Sequence, residues 1–422
     1  MDILRWEYDD MNNYYTSVEL GTNSIKILVC NKINKKFHVI ASVDSSSDGI
    51  KRGIIVDTRK AVNATKKAFK KLNEKLGFRI TKAIACVPTN ECRMDIAIGS
   101  VEVADSSSIT GKDVSNVIKD AITGQIHDDE ELVTAIPISF KVDEEDNIKD
   151  PKGLSGETLG IKILISMSPK EIIYKTLEVL KLSGIEVMDI GYSSTADYYQ
   201  VKSDRLDKVA GAVINIGEET TNISVFNKGI MIKNKIMPVG SKNVDNDISY
   251  IYHINSSISR RLKENFVVAS SSYADSNEVC EIKRKDGEML EINQLDLSKI
   301  VEARLVDILK KVKKELKNLT KREIRYIIIT GGISELAGFQ YLIEDQLGIK
   351  ARVCNITTMG IRSNKYSSIL GLIKYYDDKL TLRGKNITML NDSDINNLIS
   401  IKEEKSNNEN IINRVFGRFF EN

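Results

Sequence analysis

Two turns of the chain, far apart in sequence, share a composition suited to holding phosphate. Each is led by glycine, is rich in hydroxyl and amide side chains, and lies between short apolar segments, over residues 18–29 and 213–226. Such turns direct backbone N–H groups and small side chains toward one point, which is how many proteins bind phosphate. The candidate phosphate-binding residues are Gly21, Thr22, Asn23, Ser24 and Lys26 in the first turn, and Gly217, Thr220, Thr221 and Asn222 in the second.

Further glycines open the segments that follow these turns. Gly331 and Gly332 come after a very apolar strand over 326–330, and the helix start that they create suits an adenosine or a phosphate. Gly240 opens a predicted helix that reaches residue 252. Two related hairpins and a late glycine pair predict two similar half-domains that close over a nucleotide. The alternative is that each turn is an ordinary tight hairpin.

Length and composition limit the class of the protein. At 422 residues the chain is too long for one ordinary core, so two or more domains are expected. Its 61 basic and 59 acidic residues leave a net charge of +2, so no overall field attracts nucleic acid. Five scattered cysteines and three isolated histidines lack metal-ligand spacing, and we predict no metal site built from them. Since we find neither a secretory signal nor a spanning apolar window, we expect a cytoplasmic protein unless something anchors it peripherally.

Composition and periodicity divide the chain into segments. A block over 82–167 is rich in predicted strands and flanked by matching elements, so we interpret it as an inserted subdomain. A polar stretch over 377–408 has little to bury and is interpreted as a linker. The predicted order is an N-terminal lead (1–13), a first half (14–81 and 168–207) interrupted by the insertion (82–167), a second half (208–253 and 323–376) that carries a small subdomain (254–322), the linker (377–408) and a terminal helix (409–422).

The terminal helix carries a continuous apolar stripe. Its large apolar residues recur at the spacing of one helix face. Because the stripe follows a polar linker, we predict that it lies in a membrane interface, and docking on the protein's own core is the alternative. The predicted membrane-binding residues are Ile411, Ile412, Val415, Phe416, Phe419 and Phe420.

In this order of elements the chain resembles the FtsA family of actin-like bacterial division proteins. The resemblance covers residues 14–422 and rests on the two turns, the late glycine pair, the inserted block with Gly153-Leu154-Ser155-Gly156, and the terminal helix. It implies an α/β fold of two actin-like, ribonuclease-H-like halves with an FtsA-type insertion and a C-terminal amphipathic helix. It also implies ATP with Mg²⁺ as the cofactor. In relatives one helix supplies an acid and a basic residue to the nucleoside, and the basic candidates here are Arg261 and Lys263.

The second turn departs from the pattern of that family. Relatives typically read Asp-Ile-Gly-Gly-Gly-Thr-x-Asp, but both acidic positions are amides here, Asn215 and Asn222, and two glycines are replaced by Glu218 and Glu219. Glycine lets the backbone approach phosphate closely, and two carboxylates add bulk and like charge instead. An amide also organises hydrated Mg²⁺ less well than a carboxylate. In the nucleoside helix, Ile258 stands where the acid is expected. We therefore predict weak adenine-nucleotide binding, slow turnover at most, and no catalytic residue.

The resemblance implies a structural role. The chain is expected to form filaments at the inner face of the cytoplasmic membrane at the division site, to bind the tubulin-like protein FtsZ and to meet later division proteins. The insertion is expected to contact the neighbouring protomer, and the small subdomain to contact FtsZ. One alternative is a slow ATPase of the actin, Hsp70 and sugar-kinase superfamily, which would need intact glycine loops and an acidic base. The other is an assembly factor like the pilus protein PilM, in which a phenylalanine-rich tail is not expected.

Overall fold

The computed structural model describes residues 13–284, 287–382 and 389. The first half opens with a run of apolar strands and one amphipathic helix, which begins after its N-cap Asp57 and ends at Gly77, with a φ of +80°. These elements are β1 (Asn13–Leu20), β2 (Ser24–Ile33), β3 (Lys36–Ser46), β4 (Ile50–Lys51), β5 (Ile54–Ile55), α1 (Thr58–Leu76) and β6 (Lys82–Val87).

The insertion is a separate antiparallel sheet with its own core. Its strands lie in the order β7-β10-β8-β9, and one helix covers a single face of the sheet. That helix starts at a capping box formed by Thr110 and Asp113. The elements are β7 (Arg93–Glu102), α2 (Gly111–Ile122), β8 (Glu130–Val142), β9 (Glu145–Ile148) and β10 (Thr158–Pro169).

The chain returns to the first half through α3 (Lys170–Leu182), β11 (Glu186–Tyr192) and α4 (Ser193–Val201). The sheet of this half has the order β11-β6-β1-β2-β3, and β6 runs parallel to both of its neighbours. The strand over 82–87 therefore belongs to the first half, and the insertion begins after it rather than at residue 82. Burial explains the difference, because β6 is covered on both faces like an interior strand.

The second half repeats the design of the first. Its sheet has the order β14-β13-β12-β17-β18, again with three antiparallel strands beside two parallel ones. A small subdomain with a two-stranded hairpin is attached to it. The elements are β12 (Ala210–Ile216), β13 (Thr221–Asn227), β14 (Ile230–Met237), α5 (Ser241–Tyr252), α6 (Ser256–Asn265), β15 (Val279–Lys283), β16 (Met289–Asn293), α7 (Gln294–Leu319), β17 (Ile327–Thr330), α8 (Phe339–Leu347) and β18 (Ala351–Val353).

The helix expected directly after Gly331-Gly332 starts later than predicted. Residues Gly332–Glu335 form a single 3-10 turn, and α8 begins at Phe339, after Gly338 adopts a φ of +72°. The left-handed glycine breaks the helical path. The glycine pair is consequently not an α-helix N-terminus.

The last helix, α9 (Ser367–Leu382), packs against α4, and these two helices lie at the connections between the halves. The contact between them is very close, because a β-carbon on Gly371 would lie 1.7 Å from the carbonyl oxygen of Ala196. Glycine is therefore what allows the two helices to cross here.

Helix α9 is longer than predicted, since it continues through residues 377–382 of the expected linker. Asp377 and Asp378 are polar but are paired with Lys32 at 2.9 Å and with Lys202 at 2.6 Å. Farther on, Met389 is buried and its N–H donates to the Tyr14 carbonyl at 3.0 Å.

The predicted terminal helix, most of the predicted linker and nearly all of the N-terminal lead lie outside the described residues. Within the described part, no helix is long and apolar enough to cross a membrane.

Candidate functional site

The two predicted turns meet at a cleft of about 550 Å³ between the halves. Each turn follows the third strand of its five-stranded sheet, β1 in one half and β12 in the other, so the internal repeat of the fold sets them opposite one another. The predicted residues that line the cleft are Gly21, Thr22, Asn23, Ser24, Lys26, Gly217, Thr220, Asn222, Lys263, Gly331 and Gly332. The structure thus brings most candidates together, and their contact with a ligand remains a prediction.

Thr221 and Gly240 support the second turn without lining the cleft. Thr221 is fully buried, and its hydroxyl donates to the Val239 carbonyl at 2.8 Å. A β-carbon on Gly240 would lie 2.5 Å from the carbonyl oxygens of Gly217 and Glu218. Glycine is needed there so that α5 can begin against the turn, and the contact of Gly240 with a ligand stays a prediction.

Arg261 does not line the cleft either, and its neighbour Arg260 does. Arg260 and Lys263 are three residues apart on α6 and so share one helix face, which faces the cleft. Of the two predicted basic residues, Lys263 lines the cleft and Arg261 does not, and Arg260 lines it without having been predicted. The i, i+3 spacing to Lys263 was the signal in the sequence that identifies Arg260.

The first turn is narrow and well connected. The N–H of Gly21 donates to the Ser24 carbonyl at 3.2 Å, and a β-carbon on Gly21 would lie 2.7 Å from that oxygen. The hydroxyl of Thr22 accepts a hydrogen bond from the Gly53 N–H at 2.9 Å. The turn therefore needs glycine at its start and is held by the neighbouring loop.

Charged groups at the base of the first turn neutralise each other. Lys26 lies 2.7 Å from the Glu19 carboxylate, and Lys365 lies 2.7 Å from that of Asp44. Burial alone would lower the pKa of Lys26, but the charge and hydrogen bond of Glu19 raise it above its usual value. Lys26 remains charged, and its charge is already matched by a carboxylate within the protein.

Asn215, at the first amide position of the second turn, is bonded to a buried acid that the sequence reasoning missed. Its amide donates to Asp197 on α4 at 2.7 Å, and the Ser368 hydroxyl donates to the other oxygen of Asp197 at 2.9 Å. Burial raises the pKa of Asp197 to about 6, although these hydrogen bonds act in the opposite direction. The partners come from distant elements, so no local pattern marks the pair.

Asn222, at the second amide position, belongs to a polar network under the cleft. Its amide donates to the hydroxyls of Thr89 at 2.8 Å and Ser194 at 2.6 Å, and its oxygen accepts from the Asn234 amide at 2.5 Å. A carboxylate could accept hydrogen bonds but could not donate these two. The amide therefore fits this network better than the usual acid.

The two glutamates of the second turn are both ion-paired. Glu218 lies 2.5 Å from Arg260 on α6, and Glu219 lies 2.6 Å from Lys242 at the start of α5. The pKa of Glu219 lies below its usual value, mainly because of the hydrogen bond from Lys242. Both carboxylates are thus paired with cations at the turn where the resemblance implies glycine.

An acid does face the nucleoside helix, but it comes from another element. Asp245 on α5 is fully buried and lies 2.7 Å from Lys263 and 3.5 Å from Arg260. Glu264 also lines the cleft, next to Lys263. Asp245 thus pairs with the basic residues of α6 from another element, but it does not line the cleft, so it does not replace the acid expected at Ile258 as a ligand contact.

The glycine pair has two distinct positions. Gly331 has a φ of +93°, and a β-carbon there would lie 2.4 Å from the Ile216 carbonyl oxygen and 2.8 Å from the Asn215 side-chain oxygen. Gly332 has open space on its cleft side, with no atom within 4 Å of the corresponding position. Gly331 is therefore required by packing of β17 against β12, and Gly332 leaves room in the cleft.

The carboxylates at the two turns are already paired with cations, which places them poorly for holding a hydrated Mg²⁺ ion. In the described part of the chain, no group of three or more His, Cys, Asp or Glu residues is placed to hold a metal. The carboxylates of Glu19, Glu218 and Glu219 each have a lysine or arginine partner. Mg²⁺ in nucleotide sites is usually held by one or two carboxylates together with phosphate oxygens. We accordingly derive no hydrolytic step from this cleft.

Two family models match the chain, and both describe one family. The model "Cell division protein FtsA" matches residues 212–371, in the second half. The model "SHS2 domain inserted in FTSA" matches residues 90–167, which agrees with an insertion that begins after β6.

Curated relatives match over most of the chain. The cell division protein FtsA of Streptococcus pneumoniae is 28% identical over 365 residues, which cover 86% of this chain and 80% of the relative. The FtsA of Bacillus subtilis (strain 168) is 28% identical over 379 residues, covering 89% and 86%. The FtsA of Enterococcus hirae is 27% identical over 364 residues, covering 86% and 82%.

Solved structures of similar shape confirm the predicted fold. A chain of the PilM–PilN type IV pilus biogenesis complex aligns with a TM-score of 0.57 at 13% identity, covering 85% of this chain and 97% of that one. MreB5 of Spiroplasma citri bound to ADP aligns with a TM-score of 0.54 at 11% identity, covering 88% and 98%. At these identities the likeness concerns the fold alone, and that fold is the actin-like one with two related halves.

Proposed function

Because the chain belongs to the FtsA family of actin-like cell-division proteins, we propose that it is a structural division protein. It assembles at the inner face of the cytoplasmic membrane and attaches FtsZ to that membrane. The observation that supports this best is the four-stranded insertion inside an actin-like body. PilM shares the fold at 13% identity, whereas the FtsA relatives share sequence over most of the chain.

Membrane attachment is assigned to the terminal stripe. Burying one large apolar side chain contributes roughly 1.5–3 kcal/mol at best, and partial insertion and ordering of the helix offset much of that. Arg414 and Arg418 are accompanied by Glu409 and Glu421, so attraction to anionic lipid adds little. A single tail is then a reversible anchor, and stable attachment needs many tails on one filament.

Sedimentation of the full chain with liposomes tests this assignment. Phe416→Glu places a charge in the stripe and should lower the lipid-bound fraction about tenfold, because the charge would have to enter the acyl boundary. Gly417→Glu adds the same charge outside the stripe and should bind much as the unaltered chain does. The assignment fails if a chain truncated after Asn408 sediments with liposomes as well as the full chain.

The FtsZ contact is assigned to the small subdomain. Its β15–β16 hairpin exposes two apolar side chains, Val279 and Met289, of which Met289 is 63% exposed. Exposed apolar side chains of this kind are common in protein contacts. Replacing both by glutamate should abolish recruitment of FtsZ to chain-coated liposomes and leave the binding of the chain to lipid unchanged.

Self-association is assigned to the insertion. On β7, an edge strand of its sheet, Ile96 and Ile98 are 56% and 75% exposed. Ile98→Glu should prevent filaments on lipid monolayers in electron micrographs but should leave FtsZ recruitment intact. This outcome is the reverse of that for the hairpin variant, so each variant is the control for the other. Filaments of Ile98→Glu indistinguishable from those of the unaltered chain would contradict the assignment.

Nucleotide binding in this proposal is weak, and hydrolysis is slow at most. The nucleoside end of the cleft offers an open position at Gly332, together with Lys263 and Arg260. The phosphate end is occupied by charged side chains that already have partners. Brisk ATP hydrolysis by the unaltered chain would refute this part of the proposal.

A further inference from the structure

The two glutamates of the second turn reach across the cleft as well as pairing within their own half. Glu219 accepts a hydrogen bond from the backbone N–H of Arg52 at 3.2 Å. Arg260, which is paired with Glu218, donates its other amino group to the Asn23 side chain at 2.7 Å. Asn23 and Arg52 belong to the first half, and the other three residues belong to the second. Two bridges therefore join the halves at the mouth of the cleft.

Both cross-cleft hydrogen bonds are exposed at the mouth of the cleft, whereas the Arg260–Glu218 ion pair behind them is partly buried. The side chains of Glu218 and Glu219 are 15% and 20% exposed, and that of Arg260 is 30% exposed. Arg260 also lies beside the buried Asp245. Burial alone would lower the pKa of Arg260, but these carboxylates raise it. The guanidinium is therefore fixed in place by acids of its own half while it contacts the other half.

The backbone of the second turn is also engaged. The Gly217 N–H donates to the Thr220 carbonyl at 2.9 Å. At the start of α5, the N–H groups of Ser241 and Lys242 donate to the carbonyls of Gly217 and Glu218, each at 2.9 Å. Free N–H groups at a helix start are the usual donors to phosphate. Here these donors hold the turn itself, so an incoming polyphosphate would meet two carboxylates and few free donors.

We propose that Glu218, Glu219 and Arg260, with Asn23 and Arg52 across the cleft, form a latch that holds the two halves closed without nucleotide. The carboxylates take the place of a bound anion, since they supply the negative charge that the surrounding cations would otherwise find in phosphate. Closure of this chain is then independent of ATP. This inference concerns only the cleft, so it can fail while the proposed membrane and FtsZ attachment holds.

Hydrogen exchange of the full chain, measured by mass spectrometry without nucleotide, tests the latch. The unaltered chain should show slow exchange over residues 21–24 and 50–53, because both segments are held by the latch. Replacing Glu218 and Glu219 together by glycine should speed exchange there about tenfold, since local opening governs the exchange of such amides. Replacing both by glutamine keeps the size of the side chains but removes their charge, and it should produce most of the same change.

Two controls are needed. The first distinguishes opening of the latch from global unfolding, and the second distinguishes it from the loss of any carboxylate in the cleft. Exchange over the buried core of α7, at residues 301–312, should be unchanged in every variant. Glu335→Gln removes another carboxylate that lines the same cleft and contacts no latch residue, and exchange at 21–24 and 50–53 should stay within about twofold of the unaltered chain. A similar acceleration in Glu335→Gln would overturn the proposal, because general charge in the cleft would then explain the effect.

Millimolar ATP with Mg²⁺ supplies the decisive comparison. In the double-glycine variant it should restore slow exchange at 21–24 and 50–53, since phosphate can then enter the vacated position. In the unaltered chain it should change exchange in these segments less than twofold. The inference is overturned if ATP protects the unaltered chain as strongly as the variant, or if exchange in the unaltered chain is already as fast as in the variant.

Discussion

The contact between α4 and α9 gives the sharpest test of the packing that joins the two halves. Gly371→Ala adds one methyl group to α9 at the point where the helices cross. Its β-carbon would lie 1.7 Å from the Ala196 carbonyl oxygen, 2.6 Å from the Ala196 carbonyl carbon and 3.0 Å from the Gln200 nitrogen. These are backbone atoms of α4, so a change of side-chain rotamer cannot relieve the overlap. The helices must separate by roughly 1.5 Å or more to reach an ordinary C···O distance.

The size of the effect follows from two opposing contributions. Overpacking of a tight site costs about 1–3 kcal/mol and sometimes more, and backbone-to-backbone overlap belongs at the upper end. Alanine is a better helix former than glycine by about 1 kcal/mol. We therefore expect Gly371→Ala to lower the free energy of unfolding by about 2 kcal/mol or more. Side chains packed around the crossing, such as Leu372 against Gly191, lose contacts as well.

Urea unfolding followed by circular dichroism measures this loss, with Gly111→Ala as the matched control. Gly111 opens α2, and no atom lies within 4 Å of a β-carbon placed there. The control gains helix propensity without overlap, so its unfolding midpoint should be unchanged or slightly higher. If Gly371→Ala unfolds at the same urea concentration as Gly111→Ala, the two helices are not in the close contact described and the reasoning is refuted.

Three further predictions test separate features of the fold. Burial raises the pKa of Asp197 to about 6 in the folded state, whereas an unfolded aspartate releases its proton near pH 4. The stability that this group contributes is therefore present at low pH and is lost as the pH rises through 6. Unfolding free energy should thus fall by about 1 kcal/mol more between pH 5 and 7 in the unaltered chain than in Asp197→Asn, measured by urea titration. Gly331→Ala would crowd the Ile216 carbonyl and should lower the melting temperature by several degrees. Gly332→Ala meets open space and should leave the melting temperature unchanged. Equal shifts for the two variants would contradict the positions assigned to these glycines. Phe226→Ala removes a fully buried ring stacked on a tyrosine and should cost about 3–5 kcal/mol in denaturant unfolding, and a loss below about 1 kcal/mol would argue against that stacking.

Much of the fold could be predicted from local sequence, because each half begins with a recognisable pattern of a strand, a glycine turn and a second strand. The presence of an insertion within an α/β fold could likewise be predicted from the order of the elements and the periodicity of the apolar residues. The sheet to which β6 belongs could not be predicted, because a short apolar strand has the same sequence pattern in the insertion as in the interior of the first sheet. The end of α9 was missed for a related reason. Its polar residues Asp377 and Asp378 look solvated until their lysine partners on distant elements are known.

The turns that form the candidate site could be predicted from the sequence, but the ion pairs and hydrogen bonds of its charged residues could not. Glycines and small side chains mark the turns, since their role is local. The partners of Glu218, Glu219 and Asn215 lie on α4, α5, α6 and the loop after β4, and nothing in the sequence states that these will converge. Burial also creates properties, such as the raised pKa of Asp197, that a residue type alone does not carry.

The buried position of Met389 has a mechanical consequence. Its N–H is bonded to Tyr14 at the beginning of β1, and just before it α9 is tied to the same end of the sheet through Asp377 and Lys32. The first turn of the cleft follows the opposite end of β1. Tension applied to the chain beyond Met389 therefore enters the first half directly, at the far end from the cleft, and does not pass through the helix crossing at Gly371. The first half therefore receives such a load before the second half does.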